Sequence, residues 1–173
     1  MTTPLEKLNN RYQIARPTIQ SGVSHSDAKA TLHFIQLMDI YEQNYIQLKQ
    51  LIHQDAIDAG KSVSCLLQGL DLHMTVIERT KFTTTIRLTY WFGQEEQVPD
   101  PDLQVRIFHD AQVAEVVSGK FSKQGKTDPD VTQYALPMKW HANRFLQKWL
   151  AYCLRQGHKL QAADYQCALT QSI

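Results

Sequence analysis

The sequence has few cysteines and no long hydrophobic run. Its cysteines, Cys65, Cys153 and Cys167, are odd in number and show no CxxC spacing, which favours idle thiols in a reducing cytoplasm over a disulfide framework or a zinc site. No apolar stretch approaches the roughly 20 residues that a membrane-spanning helix requires. Residues 1–17 contain no apolar core of the kind found in secretory signals. These absences predict a cytoplasmic protein with no membrane partner.

The sequence also lacks the motifs of common catalytic and cofactor sites. It contains no GxSxG, Walker A or GxGxxG motif, so neither a serine nucleophile nor a nucleotide-binding loop can be nominated. The seven histidines include no HxH or HExxH and no pairing with cysteine at zinc spacing. No metal or cofactor is therefore predicted, and a binding module is favoured over an enzyme.

The charge is nearly balanced, with a formal net value of +1, and gives no bulk argument for a nucleic-acid partner. Basic residues nevertheless prevail within residues 119–159. The candidate polyanion-binding residues are Lys120, Lys123, Lys126, Arg144 and Lys148. A solvated helix face is the commoner explanation of such a cluster, so RNA binding is an alternative that is not favoured.

Two segments have the periodicity of amphipathic helices. After a cap at Ser26 and Asp27, apolar residues recur at three- and four-residue spacing and predict a helix over residues 31–54. A second stripe follows Pro137 and stops at a glycine, which predicts a helix over residues 138–156. Asn44 interrupts the first stripe, and we expect a structural hydrogen bond from its amide to backbone.

Between the two helices the period changes to that of β-strands. Residues 62–67, 70–78, 83–92, 103–108 and 113–117 are rich in β-branched and aromatic residues. Residues 93–102, which are acidic and contain two prolines, predict a loop. The order helix, about five strands, helix has no βαβ alternation. It predicts a two-layer α+β fold, in which an N-terminal and a C-terminal amphipathic helix pack on one face of an antiparallel sheet.

The predicted domain organisation has three parts. Residues 1–25 form a polar N-terminal tail, and residues 26–157 form a single α+β domain. Residues 158–173 form a C-terminal extension that is predicted to be frayed or a short weak helix.

The hairpin formed by residues 103–118 carries the candidate site. Its pairing places Arg106 opposite Glu115 and sets Phe108, Ile107 and Val105 against Val113, Ala114 and Val116. The candidate ligand-binding residues are Arg106, His109, Asp110 and Glu115, with Glu78 and Lys81 from the neighbouring turn. The His-Asp step could supply a general base or bind a phosphate. The structural interpretation is nevertheless favoured, in which Arg106 and Glu115 brace the sheet as a cross-strand ion pair.

Four blocks of the sequence resemble a bacterial family of unknown function, the YqiB-like proteins. The blocks are MDIYEQNYIQLKQLI, TVIERTKFTTTIRL, VRIFHDAQVAEV and NRFLQKWLAYCLRQG, and they span roughly residues 35–157. The positions that match the family are Asn44, Glu78, Thr80, Arg106, His109, Asp110, Glu115, Asn143, Trp149 and Tyr152. The chain departs from the family by a longer N-terminal tail and by extra residues after Gly157. The resemblance implies a cytosolic bacterial single domain and no particular activity.

Three hypotheses for function follow from these observations. The first is a non-enzymatic binding or regulatory module that recognises a protein or a small anionic ligand on the open face of the sheet. The second is an enzyme that acts on a phosphorylated small molecule or nucleotide through the hairpin with Arg106 and Glu115. The third is an RNA-associated protein that uses the basic cluster.

Overall fold

A computed structural model describes residues 25–93, 97–120 and 136–162 of the chain. The chain divides into two units, Met1–His33 and Phe34–Ile173, and the sheet belongs to the second. The described elements are α1 (His25–Leu51), α2 (Gln54–Ala59), β1 (Lys61–Ser64), β2 (Leu72–Arg79), β3 (Thr83–Phe92), β4 (Val98–Phe108), β5 (Val113–Lys120) and α3 (Leu136–Gln156). The strands form one antiparallel sheet in the order β1-β2-β3-β4-β5. The predicted α+β class with a five-stranded antiparallel sheet is confirmed.

Each strand turns alternate side chains to the two faces of the sheet. On one face, Ile86 and Leu88 of β3 are fully buried and share a core with Leu48 of α1 and Leu146 of α3. The opposite face, which we call the outer face, is polar. One cross-strand row on it consists of Lys61, Thr75, Arg87, Gln104 and Ser118.

The two predicted helices are present with shifted ends. α1 ends at Leu51 because Ile52 forms a parallel bridge with Leu160, and the His53 N–H donates to the Leu160 carbonyl at 2.9 Å. The short helix α2 was not predicted, and Gly60, with a φ of 77°, caps its C-terminus. In the described part of the chain, no helix is long and apolar enough to cross a membrane.

The strand β4 begins earlier than the sequence pattern indicated. The predicted loop is wrong for residues 98–102, where Pro99 lies opposite Trp91 of β3. The described pairs between β4 and β5 begin only at Asp102 and Lys120. The residues of β4 before Asp102 therefore pair only with β3 in the described part of the sheet. Because proline lacks an N–H group, it is tolerated where a strand has hydrogen bonds on one side only.

A buried asparagine joins the two long helices to the sheet. The Asn143 Oδ1 atom accepts the Val116 N–H of β5 at 2.9 Å, and its Nδ2 atom donates to the Lys139 carbonyl at 2.9 Å. Asn44 of α1 donates from Nδ2 to the Asn143 carbonyl and to Asn143 Oδ1, both at 3.4 Å. The predicted backbone bond of Asn44 is thus confirmed. The side-chain amide of Asn143 has hydrogen bonds to residues of α1, β5 and α3.

The residues after α3 return to the sheet, and the prediction of a frayed end is wrong for residues 158–162. His158 is 2% exposed, and its two ring nitrogens contact Ser64 Oγ and Tyr90 Oη, both at 3.1 Å. The Lys159 N–H also donates to Ser64 Oγ at 3.0 Å, and Tyr90 Oη lies 3.2 Å from Cys153 Sγ. We call Ser64, Tyr90, Cys153 and His158 the buried polar cluster. The predicted domain boundaries stay a prediction, and residues 1–24 and 163–173 lie outside the described residues.

The cysteines do not all match the expectation of idle thiols. Cys65 is disulfide-bonded, so the prediction is wrong for this residue, because spacing along the chain does not reveal which cysteines the fold brings together. Cys153 is free and fully buried, and burial raises the pKa of its thiol to about 11. That thiol is therefore protonated and inert at neutral pH. Cytoplasmic location stays a prediction.

Candidate functional site

The hairpin between β4 and β5 has the register that the sequence predicted. Arg106 lies opposite Glu115, and the pairs on either side of it match as well. The turn is closed by Gln112, a non-glycine residue with a φ of 56°. Asp110 accepts the Ala111 N–H at 2.9 Å and is otherwise exposed. The local alternation of the sequence was therefore sufficient to set the strand pairing.

The side chains of Arg106 and Glu115 make separate contacts. Glu115 Oε2 accepts the hydroxyl of Tyr41 from α1 at 3.2 Å, and Arg106 Nε donates to Thr85 Oγ1 at 3.5 Å. Burial and the negative charge of Glu115 both raise the pKa of Tyr41, so its phenol stays a donor. Within the described residues, the ion pairs are Arg79–Asp58 and Arg87–Asp102, and Arg106 with Glu115 is not among them.

These contacts predict little coupling between Arg106 and Glu115 in stability. In a double-mutant cycle, Arg106→Ala and Glu115→Ala should show a smaller coupling in the free energy of unfolding than a directly bonded pair, because no direct bond joins the two side chains. Arg87 and Asp102 form the matched control, since their pair has two bonds of 2.6 and 2.7 Å and should show measurable coupling. Urea unfolding of both double-mutant cycles checks this, and coupling in the first that equals the second would contradict it.

His109 ties the hairpin to the turn between β2 and β3. Its backbone N–H donates to the Phe82 carbonyl at 2.8 Å, and its ring atom Nε2 lies 2.8 Å from Thr84 Oγ1. In that turn, the Thr80 N–H donates to the Thr83 carbonyl at 2.8 Å, and the two threonine hydroxyls lie 2.8 Å apart. The histidine and the turn are thus held in a fixed relation by hydrogen bonds.

A pocket opens between this turn, His109 and the helix α2. It has a volume of about 150 Å³. The residues that line it are Gln54, Ile57, Arg79, Thr80, Lys81, Thr84 and His109. We call it the turn pocket.

The electrostatics of the turn pocket are positive at its lining. Arg79 and Lys81 are cationic, and no carboxylate is among the described residues that line the pocket. Burial lowers the pKa of His109, and the nearby positive charges of Lys49 and Arg79 lower it further, against the opposing charge of Asp110. The histidine is therefore mainly neutral at neutral pH. A bound anion would favour its protonated form, because a nearby negative charge stabilises the imidazolium.

A β-bulge decides which charged side chain reaches the turn pocket. The register of β2 on β3 shifts between Val76 and Glu78, so that Glu78 lies opposite Thr85 and Arg79 opposite Thr84. Uninterrupted alternation would have exchanged the faces of these two charged residues. The bulge places the cation, and not the carboxylate, beside Thr84.

The structure brings together only part of the predicted ligand-binding group. Lys81 and His109 share the turn pocket. Arg106 and Glu115 lie in the cross-strand row that contains Glu78 and Thr85, and Asp110 lies in the hairpin turn. The sequence reasoning did not select Arg79, Thr84, Gln54, Ile57 and Thr80 for this site. Their nearness to His109 depends on the bulge and on α2, neither of which leaves a local signal in the sequence.

The candidate polyanion-binding residues are described only in part. Lys120 is exposed at the end of β5, and Arg144 and Lys148 are exposed on α3, where Arg144 donates to Gln147. Lys123 and Lys126 lie outside the described residues. RNA binding stays an untested alternative that the sequence does not favour.

Comparison with known proteins gives a consistent assignment. A family model described as "Protein of unknown function (DUF1249)" matches residues 47–159. The chain is 32% identical over 131 residues to the uncharacterized protein YqiB of Escherichia coli K12, and equally to that of strains O6:H1 and O157:H7. Each match covers 73% of this chain and 92% of the relative. No solved structure matches the chain. The resemblance is thereby confirmed, and the chain belongs to the DUF1249 family of proteins of unknown function, which has YqiB-like members in bacteria.

Proposed function

We propose that the protein is a non-enzymatic binding module for a small anionic ligand, whose phosphate or related oxyanion group occupies the turn pocket. The observation that carries the proposal is the composition of the lining. It combines the cations of Arg79 and Lys81 with His109 and the hydroxyls of Thr80 and Thr84, and within the described part of the chain it includes no carboxylate. Charged and neutral donors of this kind are what oxyanions accept most strongly.

The arginine of the turn pocket is available although it already has a partner. Arg79 Nη1 lies 2.7 Å from Asp58 Oδ1, but both side chains are about half exposed, at 48% and 55%. Exposed pairs of this kind are screened by solvent and contribute little to stability. An incoming anion can therefore share or replace Asp58 at little cost, which supports Arg79 as a binding residue.

The size of the pocket supports an oxyanion group and not a large ligand. Its volume of about 150 Å³ corresponds to roughly five water molecules, at about 30 Å³ each in the liquid. A phosphate or sulfate group fits such a space, and the remainder of a larger ligand would extend into solvent. Inorganic phosphate is thus a suitable first probe.

Inorganic phosphate should raise the melting temperature of the full chain relative to chloride at equal ionic strength. At 100 times the dissociation constant, binding stabilises the native state by about 2.7 kcal/mol, which for a chain of this size corresponds to roughly 5–10 °C. Lys81→Ala should weaken the response at least tenfold in phosphate concentration, because it removes a cation from the lining. Differential scanning fluorimetry across a phosphate titration measures both effects.

Lys148→Ala is the matched control, because it also removes an exposed positive charge, from α3 and not from the lining of the turn pocket. It should leave the phosphate response unchanged. Equal loss of response in Lys81→Ala and Lys148→Ala would show a general ionic effect and would refute the proposed site. A chloride response as large as the phosphate response would do the same.

A further inference from the structure

A second depression lies on the outer face of the sheet, where β1, β2 and β3 run side by side. Its volume is about 130 Å³, and it shares no lining residue with the turn pocket. The lining includes Lys61, His73, Thr75, Arg87, Thr89 and Trp91. We call it the sheet pocket.

One side of the sheet pocket is aromatic. The ring of His73 meets Trp91 edge-on, with centroids 6.5 Å apart and an interplanar angle of 84°. The guanidinium carbon of Arg87 lies 5.8 Å from the centroid of the Trp91 ring. Burial lowers the pKa of His73, against the opposing charge of Asp71, so the imidazole is mainly neutral at neutral pH. Trp91 remains half-buried and presents an oriented ring surface.

The guanidinium of the sheet pocket is fixed in position before any ligand arrives. Asp102 binds Arg87 through Nε at 2.6 Å and through Nη2 at 2.7 Å, so the guanidinium is held while its Nη1 atom stays outside that ion pair. Lys61 supplies a second cation from β1, and no carboxylate is among the lining residues that the structure describes. A guanidinium held in this way, with an ammonium group in the same lining, is complementary to a carboxylate.

We propose that the sheet pocket binds a small aromatic carboxylate, with its single ring against Trp91 and its carboxylate at Lys61 and Arg87. Its volume of about 130 Å³ is slightly below that of a protein cavity of about 150 Å³ that accepts benzene, so a single ring is about the largest group that it can enclose. The two hydroxyls of Thr75 and Thr89 complete a lining in which an aromatic surface adjoins positive charge. This site is independent of the turn pocket and of the oxyanion proposed there.

Benzoate tests the inference, with acetate as the probe that has charge but no ring and benzyl alcohol as the probe that has a ring but no charge. In ¹H–¹⁵N spectra of the full chain, the indole N–H signal of Trp91, assigned from Trp91→Phe, should shift saturably with benzoate. Acetate and benzyl alcohol should each bind at least fivefold more weakly. Lys61→Met, which keeps the aliphatic stem, should weaken benzoate at least fivefold, and Lys148→Met should not.

Several outcomes would overturn the inference and leave the turn pocket untouched. The first is a Trp91 signal that does not shift saturably with benzoate, and the second is acetate acting as strongly as benzoate. The third is equal benzoate affinity in Lys61→Met and Lys148→Met. Loss of benzoate binding in Lys81→Ala would assign the ligand to the turn pocket, and it would overturn the inference as well.

Discussion

Replacing Asn143 with alanine should lower the free energy of unfolding by roughly 3 kcal/mol, the largest effect that we expect from one polar substitution in this protein. The variant leaves the Val116 N–H without its acceptor at 2.9 Å in a buried position. A buried donor that loses its partner costs about 1–3 kcal/mol. The amide of Asn44 loses a partner in the same step, at a position that is 0% exposed.

Urea unfolding of Asn143→Ala, Asn44→Ala and the double variant measures this effect. Because the two amides share contacts, the double variant should lose less stability than the sum of the single ones. Arg144→Ala is the control, since its side chain lies next in sequence but is exposed, and it should change stability by no more than about 0.5 kcal/mol. A loss below about 1 kcal/mol in Asn143→Ala would show that the hydrogen bonds of Asn143 to α1 and β5 are not an important source of stability.

The sequence predicted the elements whose signals are local. The hairpin pairing of Arg106 with Glu115 follows from strict alternation across a short turn, and it was confirmed in register. The stripe of α3 and its stop at Gly157, whose φ is 89°, also depend only on neighbours in sequence. For these elements, periodicity and turn chemistry contain the necessary information.

The features that were missed depend on distant contacts. The β2 bulge that exchanges the faces of Glu78 and Arg79 is set by pairing with β3, and a pattern of period two cannot reveal it. The prolines of β4 indicated a loop because a sequence does not show on which side a strand is paired. The sequence placed His158 in a frayed C-terminal extension, because its partners Ser64 and Tyr90 lie 94 and 68 residues away in the chain.

The buried polar cluster gives the protein a defined response to acid. A neutral imidazole has one donor and one acceptor, which suits the two hydroxyls that His158 meets, Ser64 Oγ and Tyr90 Oη. Burial lowers the pKa of His158, against smaller opposing contributions from Ser64 and Asp71. The native state therefore holds this histidine neutral at a pH where the unfolded chain binds a proton.

The sign of the pH dependence follows from proton binding in the two states. Well above pH 6.5, the usual histidine pKa, both states are neutral at this position and it makes stability no more or less pH-dependent. As the pH falls from 6.5 to the lower pKa of the native state, the unfolded chain takes up a proton that the folded chain excludes. Stability then decreases by at most about 1.4 kcal/mol per pH unit for each such histidine. His73 and His109 act in the same direction, because burial lowers their pKa values too.

We therefore expect His158→Gln to reduce the loss of stability between pH 7 and pH 5, even though the variant is less stable than the parent at pH 7. The comparison uses the slope of the unfolding free energy with pH, so the initial loss caused by the substitution does not affect it. His141→Gln is the matched control, since it removes an exposed histidine from α3, and it should keep the parent slope. Urea unfolding at half-unit pH intervals gives the slopes. If His158→Gln and the parent lose stability equally over this range, acid acts elsewhere, and the buried polar cluster does not couple folding to proton binding.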